Sequence, residues 1–395
     1  MKPTHYTSAI FVVFILFTTV FCDTSYAESE NSSAIEATVQ NDNHSDISYN
    51  KLFEASYFLN LFDYKPKRDI SIYDANESFR QTVEYKNVVN PYVPYTFEQM
   101  ISDANTLQSM YPGLISIDSI GKSVEGRDLL LIKLGKGDNK ILFCGSHHAR
   151  EYISTTFLMK TIDEYALAYQ TSGVYGNYNV VELLDKFTVY IVPMVNPDGV
   201  NLVINGINSV KDIESVKKIK LIQSSYKAWK ANIRGVDLNR QYPVAWNKNA
   251  TSPKVPASEK YKGSAPATEP EVKAMMELSK KHNFLLSVSF HAKGEIIYWG
   301  DSGTVNSIPQ AKQIAQRFCN LTGYGMTPIS QPQYYSGGYE NWFRQEFKRP
   351  SFCVELTPYT NGELPHPDSQ FDNLVWNKAK YVGLFFMTEA YQLIK

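Results

Sequence analysis

Cysteine is scarce in this sequence, with four among 395 residues. Cys22 lies in an apolar N-terminal segment, and the other three are Cys144, Cys319 and Cys353. Removal of that segment would leave three thiols, which can form at most one disulfide. The sequence therefore excludes the disulfide-dense scaffolds that many small secreted domains use.

The chain also lacks an excess of charge of either sign. Its 39 basic and 40 acidic side chains give a formal net charge of −1 at pH 7. This balance provides no basic field for a nucleic acid, so we expect no nucleic-acid partner. Hydrophobic residues make up 43% and charged residues 20% of the chain, as in an ordinary soluble globular protein. No internal repeat is visible.

One apolar run, residues 9–17, stands near the N-terminus and is too short for a membrane span. It follows Lys2 and precedes the small-residue site Ser25-Tyr26-Ala27, an arrangement typical of secretory signal peptides. We therefore predict a signal peptide over residues 1–27, a secreted protein, and no membrane contact after cleavage. A lipid anchor on Cys22 is disfavoured, because Phe21 stands where a small residue is needed.

Residues 28–91 form a predicted N-terminal extension. Its first part, residues 28–48, is polar and typical of a disordered tether. The remainder carries aromatic residues without a clear period and could be a propeptide, a small hairpin cap or an arm that packs on the domain. Regular elements become readable from Tyr92, so we expect one folded domain over residues 92–395.

Strand-like and helix-like segments alternate in that domain. Thr96 can cap a helix that ends before Pro112-Gly113, and residues 371–394 predict a closing helix. Residues 187–195 are almost continuously apolar, which is typical of a strand buried on both faces. Such alternation predicts an α/β domain built on a sheet.

Polar residues capable of chemistry stand at the ends of predicted strands. His148 and Glu151 follow one strand and are three residues apart, so both can face one point. His291 ends a second strand, and Glu355 lies in a third among apolar neighbours. Catalytic groups of α/β sheets gather at carboxyl strand ends. Two closely spaced ligands with a distant third are the common layout of a catalytic zinc site.

Several motifs resemble, in order, the zinc metallocarboxypeptidases of the funnelin type. They are His148-Ala149-Arg150-Glu151, Asp237-Leu238-Asn239-Arg240, His291 and Val354-Glu355-Leu356, and the resemblance runs from about Tyr92 to Lys395. Residues 229–237 and 291–299 further resemble the bacterial γ-D-glutamyl-diamino acid peptidases that cut peptidoglycan stem peptides. The resemblance implies one α/β catalytic domain with a twisted mixed sheet of about eight strands, flanked by helices on both faces.

The resemblance also implies roles at the metal. His148, Glu151 and His291 would hold one Zn²⁺ per chain, which would lower the pKa of a bound water and polarise the scissile carbonyl. Glu355 would act as the general base and then as the acid toward the leaving amine. Asp237 would accept the free N–H of His148 and fix its tautomer.

Cations are implied to hold the substrate. Asn239 and Arg240 match the pair that grips the carboxylate of the departing residue, which suits a guanidinium fork. Arg234 is our candidate for stabilising the tetrahedral oxyanion, and Arg150 could share either task.

A loop over residues 336–342 resembles the one that shapes the pocket for the departing side chain. Glu340 falls where the floor of that pocket is expected, and a carboxylate there would favour a cationic group. A tyrosine that covers the substrate is expected just before the loop. Gln333 occupies the ungapped position, and we favour the adjacent Tyr334 over Tyr335.

Together these implications predict a monomeric, cell-wall-associated zinc peptidase. It would hydrolyse the γ-D-glutamyl bond to diaminopimelate, or to Lys, in murein stem peptides. One alternative is a carboxypeptidase that releases C-terminal Lys or Arg from ordinary peptides. A second is an inactive wall-binding relative, which the presence of all three ligands and Glu355 disfavours.

Overall fold

The computed structural model describes residues 85–395, which belong to one compact unit. The predicted signal peptide, residues 1–27, lies outside the described residues. So does the predicted extension up to residue 84. Among the described residues, none of the helices has the length and apolar content that a membrane span requires.

Residues 85–91, which we assigned to the extension, pack on the domain. Tyr85 stacks on Tyr111 with ring centroids 5.6 Å apart. The backbone N–H groups of Val88 and Val89 each donate to the buried Asp163 carboxylate at 3.0 Å. The ordered packing of the chain therefore begins before Tyr92.

An eight-stranded mixed sheet forms the centre of the domain, as predicted. Its strands are β1 (Ile115–Lys122), β2 (Asp128–Gly135), β3 (Asn139–Gly145), β6 (Phe187–Val192), β7 (Ser287–His291), β8 (Ile296–Tyr298), β9 (Gly325–Met326) and β10 (Ser351–Glu355), while β4 (Val174–Tyr175) and β5 (Tyr178–Asn179) pair separately. The order across the sheet is β1-β2-β6-β3-β7-β10-β8-β9. The central strands β6, β3, β7 and β10 run parallel, so their carboxyl ends share one edge.

Helices cover both faces of the sheet. They are α1 (Phe97–Met110), α2 (Ile153–Gln170), α3 (Val180–Lys186), α4 (Pro197–Asn205), α5 (Ile213–Lys217), α6 (Pro270–Lys281), α7 (Gln310–Thr322), α8 (Pro332–Tyr335), α9 (Tyr339–Phe347), α10 (Asn377–Ala379) and α11 (Val382–Gln392). On β3, Ile141 and Phe143 join the core with α2, α7 and α11, whereas Leu142 and Cys144 join the core with α6 and α9. Successive strand residues point to opposite faces, so a strand covered on both sides is apolar throughout.

The two ends of the described chain test the helix predictions. Thr96 caps α1, as predicted, by accepting the N–H of Gln99 at 3.1 Å. The closing helix that we predicted over residues 371–394 is interrupted. The hydroxyl of Tyr165 donates to the carbonyl of Lys380 at 2.8 Å and accepts the N–H of Leu384 at 3.3 Å, so it stands between two backbone groups that a continuous helix would pair.

Cysteine pairing is settled for the described part of the chain. Cys144, Cys319 and Cys353 are all free, so residues 85–395 contain no disulfide.

Candidate metal centre and active site

The candidate metal ligands begin in a turn that follows β3. The chain bends at Ser146, whose φ of 50° lies in the left-handed region, and its N–H donates to Oγ of Ser154 at 2.9 Å. Residues 149–151 then form one 3₁₀ turn. Because residues i and i+3 of such a turn share a side, His148 and Glu151 face one point.

His291 completes the group from the end of β7. Its Nδ1 lies 3.0 Å from Nδ1 of His148 and 2.8 Å from Oε2 of Glu151. Nδ1 of His148 lies 3.0 Å from both carboxylate oxygens of Glu151. Within residues 85–395, this is the one group of three or more His, Cys, Asp or Glu side chains whose donor atoms lie within 4.8 Å of one another.

The protonation of these side chains suits a cation. Burial lowers the pKa of His291, so its imidazole is neutral at pH 7. Burial would raise the pKa of Glu151, but interactions with His148 and with the Lys230 cation hold that pKa well below its usual range. Two imidazole nitrogens that face each other at 3.0 Å are both satisfied by a shared cation. Two imidazoles and a carboxylate are a donor set that zinc prefers, so the residues fit the metal.

The outer nitrogens of both imidazoles have partners. Nε2 of His148 lies 3.2 Å from Oδ1 of Asp237, and Nε2 of His291 lies 3.1 Å from Oγ of Ser289. Burial would raise the pKa of Asp237, but its electrostatic interaction and hydrogen bond with His148 hold that pKa below its usual range. Such contacts fix ring orientation and tautomer.

Glu355 lies at the end of β10, the strand next to β7. It is the register partner of His291 and lines the same cavity. Its Oε2 is buried and has no hydrogen-bond partner among residues 85–395. Burial, and then the Glu151 carboxylate, raise the pKa of Glu355 well above its usual range. A carboxyl group with a free oxygen beside the candidate metal centre can take and return a proton.

The metal centre opens into a cavity of about 530 Å³, which we name the active cavity. Seven residues predicted from the sequence line it, namely His148, Asn239, Arg240, His291, Tyr334, Glu340 and Glu355. The structure thus brings together residues that lie far apart in the chain. Some come from strands that end at one edge of the sheet, and the others from turns and helices beside that edge.

Asn239 and Arg240 lie side by side in a 3₁₀ turn at Leu238–Arg240. Oδ1 of Asn239 accepts the N–H of Tyr339 at 2.8 Å, which fixes the amide. Nη1 of Arg240 donates to the carbonyl of Asn239 at 2.8 Å. The other guanidinium nitrogens of Arg240 make no hydrogen bond to a described residue, so they can receive a ligand.

Glu340 lies in the first turn of α9 and is only 7% exposed. Its Oε1 accepts Nδ2 of Asn341 at 3.0 Å. Its Oε2 is buried and has no partner within residues 85–395. A buried carboxylate oxygen without a donor is costly, so this pocket suits a ligand that brings a cation.

The two tyrosines before α9 lie differently. Both line the active cavity, but Tyr334 is 72% exposed whereas Tyr335 is buried. The position of Tyr334 suits a side chain that closes over a bound ligand.

Two predicted arginines do not line the active cavity. Arg234 is 54% exposed, lies 3.6 Å from Oε2 of Glu269, and lines a different cavity. The guanidinium of Arg150 is buried and paired with Glu259 at 2.9 Å and with Glu363. Arg234 precedes a turn at Gly235, whose φ is 73°, and Asp237, two residues further on, contacts His148.

Lys230 is the cation that sequence reasoning missed. It lines the active cavity, and its Nζ lies 3.8 Å from Oε1 of Glu151. Its carbonyl accepts the N–H of Ala149 at 3.1 Å, which ties it to the ligand turn. The sequence offered one signal, because Lys230 directly follows Trp229. In the structure the side chain of Trp229 is fully buried and anchors the backbone there.

Comparison with known proteins agrees with this geometry. Residues 100–380 match the zinc carboxypeptidase family of M14 peptidases. The γ-D-glutamyl-L-diamino acid endopeptidase 1 of Lysinibacillus sphaericus is 38% identical over 73% of this chain and 71% of its own. The uncharacterized protein YqgT of Bacillus subtilis is 31% identical over 66% of this chain and 69% of its own.

Solved structures share the fold. Bovine thrombin-activatable fibrinolysis inhibitor, in complex with tick carboxypeptidase inhibitor, superposes with a TM-score of 0.57 at 21% identity, over 76% of this chain and 99% of its own. The cluster of His148, Glu151 and His291 at the sheet edge is compatible with zinc. By its sequence match, its fold and this site, the chain belongs to the zinc carboxypeptidase family and is a zinc metallopeptidase.

Proposed function

We propose that this zinc metallopeptidase hydrolyses the bond between a γ-D-glutamyl group and an L-diamino acid, diaminopimelate or Lys, in peptidoglycan stem peptides. The observation that carries the proposal is the buried, unpartnered Oε2 of Glu340 in the active cavity. A diamino acid brings a distal ammonium that would pair with this oxygen. The name of the Lysinibacillus relative, which describes cleavage next to an L-diamino acid, supports the same substrate class.

Binding would place the departing residue between Arg240 and Glu340. The free guanidinium nitrogens of Arg240, beside the fixed amide of Asn239, would hold its α-carboxylate. The side chain would extend to Glu340, and Tyr334 would close over it from the rim. These two charges select opposite ends of one residue, which orients the scissile bond toward the metal centre.

The reaction needs a base, a cation for the oxyanion and a metal. Zinc held by His148, Glu151 and His291 would supply Lewis-acid polarisation of the scissile carbonyl and an acidified water. Glu355 would take the proton of the attacking water and pass it to the leaving amine. We assign the stabilisation of the oxyanion to Lys230 instead of Arg234, because only Lys230 lines the active cavity.

Where the reaction occurs is part of the proposal. The apolar run at residues 9–17 and the site at Ala27 support secretion, and a peptidoglycan substrate would place the enzyme at the cell wall. We propose that it acts there as a monomer.

A second candidate function rests on the same pocket. Glu340 would also accept the side chain of a C-terminal Lys or Arg in an ordinary peptide. The two functions differ on the acyl side of the scissile bond, because only the first requires a γ-linked D-residue.

Mass spectrometry of defined digests tests the proposal. Zinc-loaded enzyme would receive L-Ala-γ-D-Glu-meso-diaminopimelate, its Lys counterpart, and an all-α peptide ending in Lys or Arg, each beside the Glu355→Gln variant. We expect wild-type enzyme alone to release the diamino acid from the γ-linked peptides. Cleavage of only the all-α peptide would replace the proposal with the basic carboxypeptidase, and failure to cleave any of them would contradict both.

A further inference from the structure

We propose that a second cavity, separate from the metal centre, binds a chain-like polyanion through phosphate or carboxylate groups. This basic cavity has a volume of about 560 Å³ and lies between the loop that contains α5 and the segment of Arg234. Its charged lining comprises Lys211, Lys218, Lys220 and Arg234 with Glu125 and Asp212. Four cations thus face two carboxylates in a chain whose net charge is −1.

Both carboxylates are already engaged. Glu125 accepts Nη1 of Arg127 at 2.6 Å and the backbone N–H of Lys211 at 2.8 Å. Asp212 caps α5 by accepting the N–H of Ser215 at 3.0 Å and its hydroxyl at 2.6 Å. Arg127 therefore balances the charge of Glu125, whereas Asp212 accepts only neutral donors and keeps a negative charge that partly offsets Lys218.

Lys211 donates to a backbone carbonyl, but two of the other cations are available. Lys218 and Lys220 are exposed, and neither side chain forms an ion pair or hydrogen bond with any residue in the described part of the chain. Arg234 has one distant carboxylate partner, with 3.6 Å between Nη1 and Oε2 of Glu269. An excess of charge of one sign on the walls of a concavity focuses the field and attracts counter-ions.

The rest of the lining points to a chain and not a single ion. The apolar side chains of Val216, Ile219, Ile233 and Val255 line the cavity between the cations. Lysines act as flexible point charges without a fixed hydrogen-bonding fork, so they select charge more than shape. A polymer with repeated anionic groups on a carbon skeleton satisfies both the spread of the cations and this apolar lining.

A short segment separates the two cavities. The N–H of Ser258 donates to the carbonyl of Lys220 at 2.8 Å, and the carbonyl of Ser258 accepts the N–H of Lys230 at 2.9 Å. Lys220 faces the basic cavity and Lys230 the active cavity. A polyanion in the basic cavity would therefore lie beside the site of hydrolysis, as a peptidase that works on a charged polymer requires.

Calorimetric titration tests the inference without reference to peptidase activity. The full, zinc-loaded protein would be titrated at 50 mM salt with a glycerol-phosphate oligomer and with a polyglutamate of equal charge. The double variant Lys218→Glu, Lys220→Glu should weaken binding about tenfold or more, since two attractions become repulsions. Binding should also weaken at 300 mM salt.

A variant of matched charge provides the control. Lys280→Glu, Lys281→Glu alters two exposed lysines at the end of α6, which do not line the basic cavity, and should leave the Kd within twofold of wild type. Weaker binding of both probes by the cavity variant would support a site that recognises charge alone. Weaker binding of one probe would identify the phosphate or the carboxylate source. No binding by wild type, equal binding by the cavity variant, or equal loss in the control variant would overturn the inference.

Discussion

The active cavity and the basic cavity have nearly the same volume, about 530 and 560 Å³, but they are built differently. The reactive groups of the active cavity come from the ends of adjacent parallel strands and from a hydrogen-bonded turn, and most are buried with defined partners. The basic cavity is formed by loops and the short helix α5, and two of its three lysines are exposed without partners among the described residues. The contrast indicates that volume does not identify an active site, whereas buried groups that converge on one point do.

The segment of residues 230–234 connects the two cavities. Lys230 lines the active cavity and Arg234 lines the basic cavity, although only three residues separate them. Peptidase activity should therefore depend on the groups that converge in the active cavity, and on Lys230 more than on Arg234.

The largest effect should follow Glu355→Gln, which removes the proton carrier and keeps the size of the side chain. We expect kcat/KM to fall by about 10²–10⁴-fold, because that is the usual contribution of general acid–base catalysis. Steady-state kinetics on a cleaved peptide would measure the fall, and zinc content should stay near one per chain. A variant with normal zinc and more than half of the activity would exclude Glu355 as the base.

Lys230→Met and Arg234→Met form a matched pair that tests the comparison directly. Loss of one oxyanion donor costs about 10²–10³-fold in kcat, so we expect this loss for Lys230→Met. Arg234→Met should change kcat by less than about twofold, because its side chain is exposed outside the active cavity. The reverse ranking would restore the assignment that we made from the sequence.

Asp237→Asn should weaken zinc binding about 10–100-fold, because the carboxylate beside Nε2 of His148 orients the ring and strengthens it as a ligand. Competition with a chelator of known affinity would measure this constant. An unchanged zinc affinity would show that ring orientation does not depend on Asp237.

Glu340→Gln should raise KM for substrates with a cationic departing residue by about tenfold, since a charge-assisted hydrogen bond becomes a neutral one. A substrate with an uncharged departing residue serves as the control and should lose less. An equal rise in KM for both substrates would mean that Glu340 does not recognise the side chain of the departing residue.

The smallest effect concerns the stability of the fold. Burial raises the pKa of Glu271 to about 7. A raised carboxyl pKa contributes stability below the unfolded value, about 4.3, and this contribution is lost as the pH rises through 7. Glu271→Gln should therefore raise the Tm relative to wild type by on the order of 2 °C at pH 8, and by less at pH 5. A difference in Tm that does not depend on pH would contradict the raised pKa.

Much of the site could be predicted because each ligand lies at the end of an apolar strand. The runs before His148 and His291 fix where their strands end, and parallel strands bring those ends to one edge. The turn that positions Glu151 requires only its spacing from His148. These are local patterns, and the structure places them as expected.

The positions of Arg234 and Arg150 could not be predicted in this way. The directions of their side chains depend on partners that are distant in the chain, which spacing in the sequence does not give. The exposed Arg234 lies near Glu269, and Arg150 is paired with Glu259 and Glu363, carboxylates more than a hundred residues away in the chain. The interruption of the closing helix has a similar origin, because it depends on the hydroxyl of the distant Tyr165.

Anomalous diffraction at the zinc edge, from crystals of the zinc-loaded protein, would show whether His148, Glu151 and His291 hold the metal. We predict one peak per chain, about 2.0–2.2 Å from Nδ1 of His148, a carboxylate oxygen of Glu151 and Nδ1 of His291. A peak at another position, or ligation through the Nε2 atoms that now contact Asp237 and Ser289, would contradict the account.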